Sequence, residues 1–168
     1  EQDVDLLIDD YCQAGFGPAA GPVRDYFRRI ERLTDQIAAA TEPGSLRGVD
    51  VTVPFTPEII GELRGLLDQA EKTSADDEAV QTRIAFLRRG LDFTDIQAQA
   101  YRFLREEGDL DREAAHRVLD REYWLMRDTF EHSHLAVNVA YVAWGGGARW
   151  RRLGWRWEGE HFRPSADK

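Results

Sequence analysis

The amino-acid sequence predicts an all-α fold, a bundle of about five helices with a short irregular or β-like Trp-rich C-terminal segment. Three observations carry that expectation. Apolar residues recur at steps of three and four along most of residues 4–130, the period at which a helix returns to the same face. Clusters that break helices interrupt the pattern at Gly15-Phe16-Gly17-Pro18, at Glu42-Pro43-Gly44-Ser45 and at Gly108. Thr56-Pro57-Glu58 combines an N-cap, a first-turn proline and a first-turn acid, the residue types that start a helix.

The first helix is expected over Val4 to Ala14, with Leu7, Ile8, Tyr11 and Cys12 in helical spacing. Gly15 to Pro18 breaks it, because Gly supplies positive φ and Pro cannot continue a helix. Ala19 to Ala40 carries Val23, Tyr26, Phe27, Ile30, Leu33 and Ile37 on one face and charged residues on the other, an amphipathic helix that Pro18 can open. Leu46 to Phe55 reads as a connection with a short extended stretch at Val49–Val53. The third helix runs from Thr56 to about Thr73 along Ile59, Ile60, Leu63, Leu66, Leu67 and Ala70.

A polar turn, Ser74 to Glu78, offers Asp76 or Asp77 as the next cap. The fourth helix is then long, from about Glu78 to Glu107. Val80, Ile84, Leu87, Leu91, Thr94, Ala98 and Tyr101 alternate steps of four and three as a bundle seam does, with a second row at Phe86, Phe93, Ala100 and Phe103. Gly90 marks either a close helix crossing or a bend, since mid-helix Gly costs about 1 kcal/mol against Ala. Asp109 or Asp111 opens a fifth helix to about Phe130, with Ala115, Val118, Leu119, Leu125, Met126 and Phe130 as its core face. Leu135 to Trp144 suits a strand or a short buried helix, and periodicity does not choose between them. Gly145-Gly146-Gly147 is a break, and Arg149 to Phe162 alternates aromatics with arginines as a hairpin or an ordered coil would. The expected organisation is therefore a helical bundle over residues 1–143 and a Trp/Arg-rich tail over 144–168, packed on the bundle or on a neighbouring domain.

Composition narrows the function classes. The 168 residues, 42% hydrophobic and 32% charged, are ordinary globular material. A net charge of −9 argues against neutralising phosphates, so no nucleic-acid partner is expected. No run approaches the roughly 18 uncharged apolar residues of a membrane span. The chain opens Glu1-Gln2-Asp3 without an initiator Met, the form expected of a domain cut from a longer polypeptide. Cys12, the single cysteine, forms no internal disulfide and leaves the compartment, secreted or cytoplasmic, open.

The chemistry-bearing residues form no convincing catalytic set. His132-Ser133-His134 is the nearest approach to a metal motif, with Glu131 beside it and His116 and His161 elsewhere. Two histidines two apart on a helix diverge by roughly 200°, so they do not chelate together, and no metal or cofactor is expected. A glycosidase needs two facing carboxylates about 5–10 Å apart, and nothing in the spacing of Asp9, Asp10, Glu31, Glu122 and Asp128 selects a pair. Neither Gly cluster follows a strand and opens a capped helix, as a phosphate cradle would. The most unusual feature is tryptophan: Trp124, Trp144, Trp150, Trp155 and Trp157. The four in the tail, Trp144, Trp150, Trp155 and Trp157, are candidates to stack on sugar rings or to seal an interface. Interface burial is the preferred reading, because aromatics dominate such contacts.

Two segments carry a family resemblance. Leu6-Leu7-Ile8-Asp9-Asp10-Tyr11-Cys12 leads into Gly15-Phe16-Gly17-Pro18-Ala19-Ala20, with Tyr26-Phe27 on the next helix; the other segment is Phe86-Leu87-Arg88-Arg89-Gly90-Leu91-Asp92-Phe93-Thr94. Together they resemble the C-terminal helical domain of large bacterial glycoside-hydrolase-like (β/α-barrel) proteins related to α-glucuronidases and endo-β-N-acetylglucosaminidases. The resemblance spans most of Val4 to about Tyr141. It implies a non-catalytic accessory domain whose partner is an upstream barrel of the same polypeptide or a second subunit, with the catalytic acids in that barrel. Carbohydrate contact through the tail Trp residues, and a free-standing interaction or regulatory domain, are the competing expectations.

Overall fold

The computed structural model describes residues 3–39, 53–105, 111–133, 135–137, 155–158 and 161–164. It is a helical fold. The expected turn at 42–45, the extended stretch at 49–52, the caps at Gly108 and Asp109, most of 135–144, the Gly145–Gly147 break and residues 149–154 lie outside the described residues. The chain divides into two compact units, Glu1–Leu91 and Asp92–Lys168.

The N-terminal unit begins with α1, Val4–Phe16, capped by Asp3, whose side chain accepts the Asp5 N–H. This helix does not stop before Gly15, as the sequence suggests. Gly15 is compatible with helical backbone, and Phe16, only 2% exposed, is drawn one turn further into the core. The break falls at Gly17, which has φ +46, a value that an L side chain rarely adopts. A short 3-10 turn, Gly17–Ala19, contains Pro18 and leads into α2, Ala20–Ala39.

Helix α3, Pro57–Thr73, starts where the three local signals place it: the Thr56 hydroxyl accepts the Ile59 N–H. Its far end is fastened by one side chain from the next helix. The Gln81 amide donates to the Glu71 carbonyl at 2.8 Å, and to both the carbonyl and the hydroxyl of Ser74 at 3.0 Å. Each carbonyl also accepts a backbone N–H, Glu71 from Ser74 and Ser74 from Asp77, so the amide adds a second bond to acceptors at a buried helix end. Helix α4, Glu78–Arg105, is capped by Asp77, whose carboxylate accepts the Val80 N–H.

The core of this unit joins Cys12, Phe16 and Ala19 to Val23, Tyr26 and Leu33 of α2. From α3 come Ile60, Leu63, Leu67 and Ala70, and from the first turns of α4 come Val80, Ile84 and Leu91. Ion pairs lie outside it: Arg29 with Glu62 at 2.9 Å, and Arg88 with Asp68 at 2.8 Å and Glu71 at 2.9 Å. Burial opposes the charge on Arg88, and its bonds to the two acids outweigh that, raising its pKa above the ordinary value. Gly90 does not serve a close crossing, because a Cβ built there would meet nothing within 4 Å.

In the second unit, the remaining turns of α4 and helix α5, Arg112–His132, supply the core. Asp111 is the cap, accepting the Ala114 N–H at 2.9 Å. Ile96, Ala100 and Val118 pack together with Phe103 and Leu125 alongside. The expected faces shift here. Tyr101 is 39% exposed and Phe130 66% exposed, whereas Asp95 and Glu122 are buried. Strands β1, Trp155–Glu158, and β2, His161–Pro164, form an antiparallel pair with Trp155 opposite Pro164 and Trp157 opposite Phe162, and β2 lies beside α5.

Candidate functional site

Helix α1 carries two apolar rows, and only one of them is covered. Ile8, Cys12 and Phe16 turn toward the core, while Val4, Leu7 and Tyr11 remain between 49% and 62% exposed. Spacing of three and four puts Val4, Leu7 and Tyr11 in one line along the helix. Phe27 and Ile30 of α2 face them across the α1–α2 junction. Together with Ile8 and Glu31 they line an open trough of about 430 Å³, whose walls are almost wholly apolar. Aromatic rings fix one end: Tyr11 meets Phe16 and Phe27 edge-on, each at 6.0 Å, and Phe27 meets Tyr26 at 5.7 Å.

The opposite edge of the same junction is ionic. Asp9 pairs with Arg24 at 3.4 Å and with Arg28 at 3.7 Å, and Arg28 also reaches Asp5 at 3.9 Å. Asp5 and Asp9 are one helical turn apart, as are Leu7 and Tyr11, so α1 separates its charged row from its open apolar row. Glu31 is the one charged liner of the trough. Asp10, three positions after Leu7, stands on the adjoining face and is exposed. Neither the Asp10 nor the Glu31 carboxylate has a hydrogen bond or ion pair among the described residues, whereas those of Asp5 and Asp9 are both engaged.

The other candidate groups are dispersed. Glu122 is fully buried in α5 and accepts a hydrogen bond from the Gln97 amide of α4. Asp128 lies 3.3 Å from His132, and Asp120 lies 3.5 Å from His116, both one turn apart on α5. His134 is outside the described residues. Among the described residues no three His, Cys, Asp or Glu side chains gather as a metal ion requires. Burial pushes the Cys12 thiol above its ordinary pKa, with Arg24 pulling the other way, so it is a core residue and a poor nucleophile. No described helix is long and apolar enough to cross a membrane.

Of the tail tryptophans, Trp144 and Trp150 lie outside the described residues. Trp155 and Trp157 occupy alternate positions of β1, and the backbone register pairs them with Pro164 and Phe162. A fifth tryptophan, Trp124 on α5, is 42% exposed and carries the Arg127 guanidinium 5.4 Å above its ring. The sequence gives no warning of the trough, because both rows of α1 are apolar and only the packing of α2 decides which is covered. No family model, curated protein or solved structure matches this chain.

Proposed function

We propose that this chain is a non-catalytic helical accessory domain of a multidomain glycoside-hydrolase-like protein, working through contacts with an upstream barrel domain or a second subunit. The observation that carries the reading is the open apolar row of α1, where Val4, Leu7 and Tyr11 face water beside a trough with one carboxylate in it. An apolar surface of that kind gains free energy when another surface covers it, at about 25 cal/mol per Å². Two carboxylates with separated pKa values would suit hydrolysis better. Here Asp9 is held by Arg24 and Arg28, and Glu122 is held by Gln97 inside the helix pair. The link to carbohydrate rests on the resemblance of residues 6–20 and 86–94 to the C-terminal helical region of barrel proteins. A stretch encoding such a barrel upstream of Glu1 is the expected gene context.

Incubating the purified chain with aryl glycosides and glycans is expected to give no turnover. Robust hydrolysis that disappears when one of its carboxylates is replaced would overturn the proposal. A second reading, carbohydrate binding through the tail, is favoured by one observation: Trp155 and Trp157 stand two positions apart on one strand of the β1–β2 pair. Titration with oligosaccharides distinguishes the two. A saturable change in Trp fluorescence that is lost in the Trp155→Ala/Trp157→Ala variant supports sugar binding, and a flat titration supports the interface domain.

A further inference from the structure

The trough has a shape, a length and a charge, and together these specify what it fits. Its α1 wall runs from Val4 to Tyr11, which at 1.5 Å per residue is about two helical turns. An apolar lining of that length matches the stripe of an amphipathic helix, whose side chains at i, i+3 or i+4, and i+7 line up over the same distance. Glu31 on the lining, and Asp10 on the face of α1 next to Leu7, have no cationic partner among the described residues.

Charge decides among possible occupants. From Asp3 to Phe16 the chain has four aspartates and no Lys or Arg; Asp5 and Asp9 pair with Arg24 and Arg28 of α2, and Asp3 and Asp10 have no ion pair among the described residues. A second copy seated on the same surface by two-fold symmetry would bring that acidic helix against itself, which like-charge repulsion penalises. An anionic membrane surface is disfavoured for the same reason. We infer that the α1–α2 trough is a docking groove for a cationic amphipathic helix of a partner domain. Its apolar stripe lies on Val4, Leu7, Tyr11, Phe27 and Ile30, and its Lys or Arg side chains reach Asp10 and Glu31. The inference rests on the reading of the chain as an interface domain, and it names the surface and the chemistry of the partner.

The test uses labelled helical peptides of about 15 residues, long enough to hold a helix in an Ala-rich sequence. One carries a Leu stripe flanked by Lys; a second has Glu in place of each Lys. Fluorescence anisotropy with the purified chain is expected to show saturable binding of the Lys peptide, at least about tenfold tighter than the Glu peptide, a difference that complementary rim charges can supply. Reversing the rim with Asp10→Lys and Glu31→Lys is expected to invert that preference. Tyr11→Ser, at an exposed position, is expected to weaken both peptides while leaving the helical circular dichroism unchanged. Equal binding of the two peptides, or none, overturns the inference. So does concentration-dependent dimerisation that Tyr11→Ser abolishes, or binding to neutral phosphatidylcholine vesicles that Tyr11→Ser abolishes. Glycoside turnover by the chain would refute the non-catalytic reading while leaving the peptide result to stand or fall separately.

Discussion

Replacing Leu67 by Ala is expected to destabilise the N-terminal unit by about 3 kcal/mol, within the range for buried Leu→Ala changes. Leu67 is fully buried on α3 and belongs to the cluster that joins α1, α2, α3 and the first turns of α4. Removing its isobutyl group forfeits the transfer of those carbons from water and leaves a void that four helices would have to shift together to close. Leu6→Ala supplies the contrast, since Leu6 is 66% exposed and its truncation should stay within about 0.5 kcal/mol. Denaturant titrations of both variants measure the difference. Equal midpoints would mean that α3 does not organise this core.

The second large effect is expected in the other unit, at Glu122. Its carboxylate is fully buried on α5 and accepts the Gln97 amide from α4. Glu122→Ala removes an acceptor of the half-buried Gln97 amide and opens a cavity, a combination expected to cost about 3 kcal/mol. The pair Gln97→Leu with Glu122→Leu replaces both polar partners by apolar groups of similar size and should cost less than the sum of the two single changes. A double-mutant cycle is expected to give a coupling energy of about 1–3 kcal/mol. A coupling near zero would show that the two residues are buried side by side without depending on each other.

The sequence announces some of this architecture well, and the reason is local chemistry. Thr56 and Asp111 are N-caps because a short side-chain oxygen reaches N–H groups two or three residues ahead, whatever the rest of the chain does. Asp77 is one of two acids offered by the Ser74–Glu78 turn, and register selects it. Failures arise where tertiary packing decides. Gly15 looks like a stop, yet the conformation that stops the helix belongs to Gly17. Phe130 looks like core and is exposed, because the α5 seam runs through Ala115, Leu119, Glu122, Met126 and Thr129 at steps of four and three. That rhythm is present in the sequence, but two of its five positions are polar and an apolar pattern passes over them. The trough is hidden for a related reason: Leu7 and Tyr11 are as apolar as Ile8 and Cys12, and only the position of α2 distinguishes them.

The two fully buried side chains of α1, Cys12 and Phe16, both lie in its C-terminal half, where the Arg83 guanidinium also holds the Gly15 carbonyl. The two turns that line the trough hold no fully buried side chain; the Asp3 cap, the pairs of Asp5 and Asp9 with Arg24 and Arg28, and the partly buried Ile8 keep them in place. A partner helix seated there, as inferred above, would restrict those two turns further, so part of the interaction free energy would go into ordering. Affinity at this surface then becomes adjustable from a distance. A residue change that stiffens the start of α1 would then tighten the inferred docking without touching the partner, and one that loosens it would speed release.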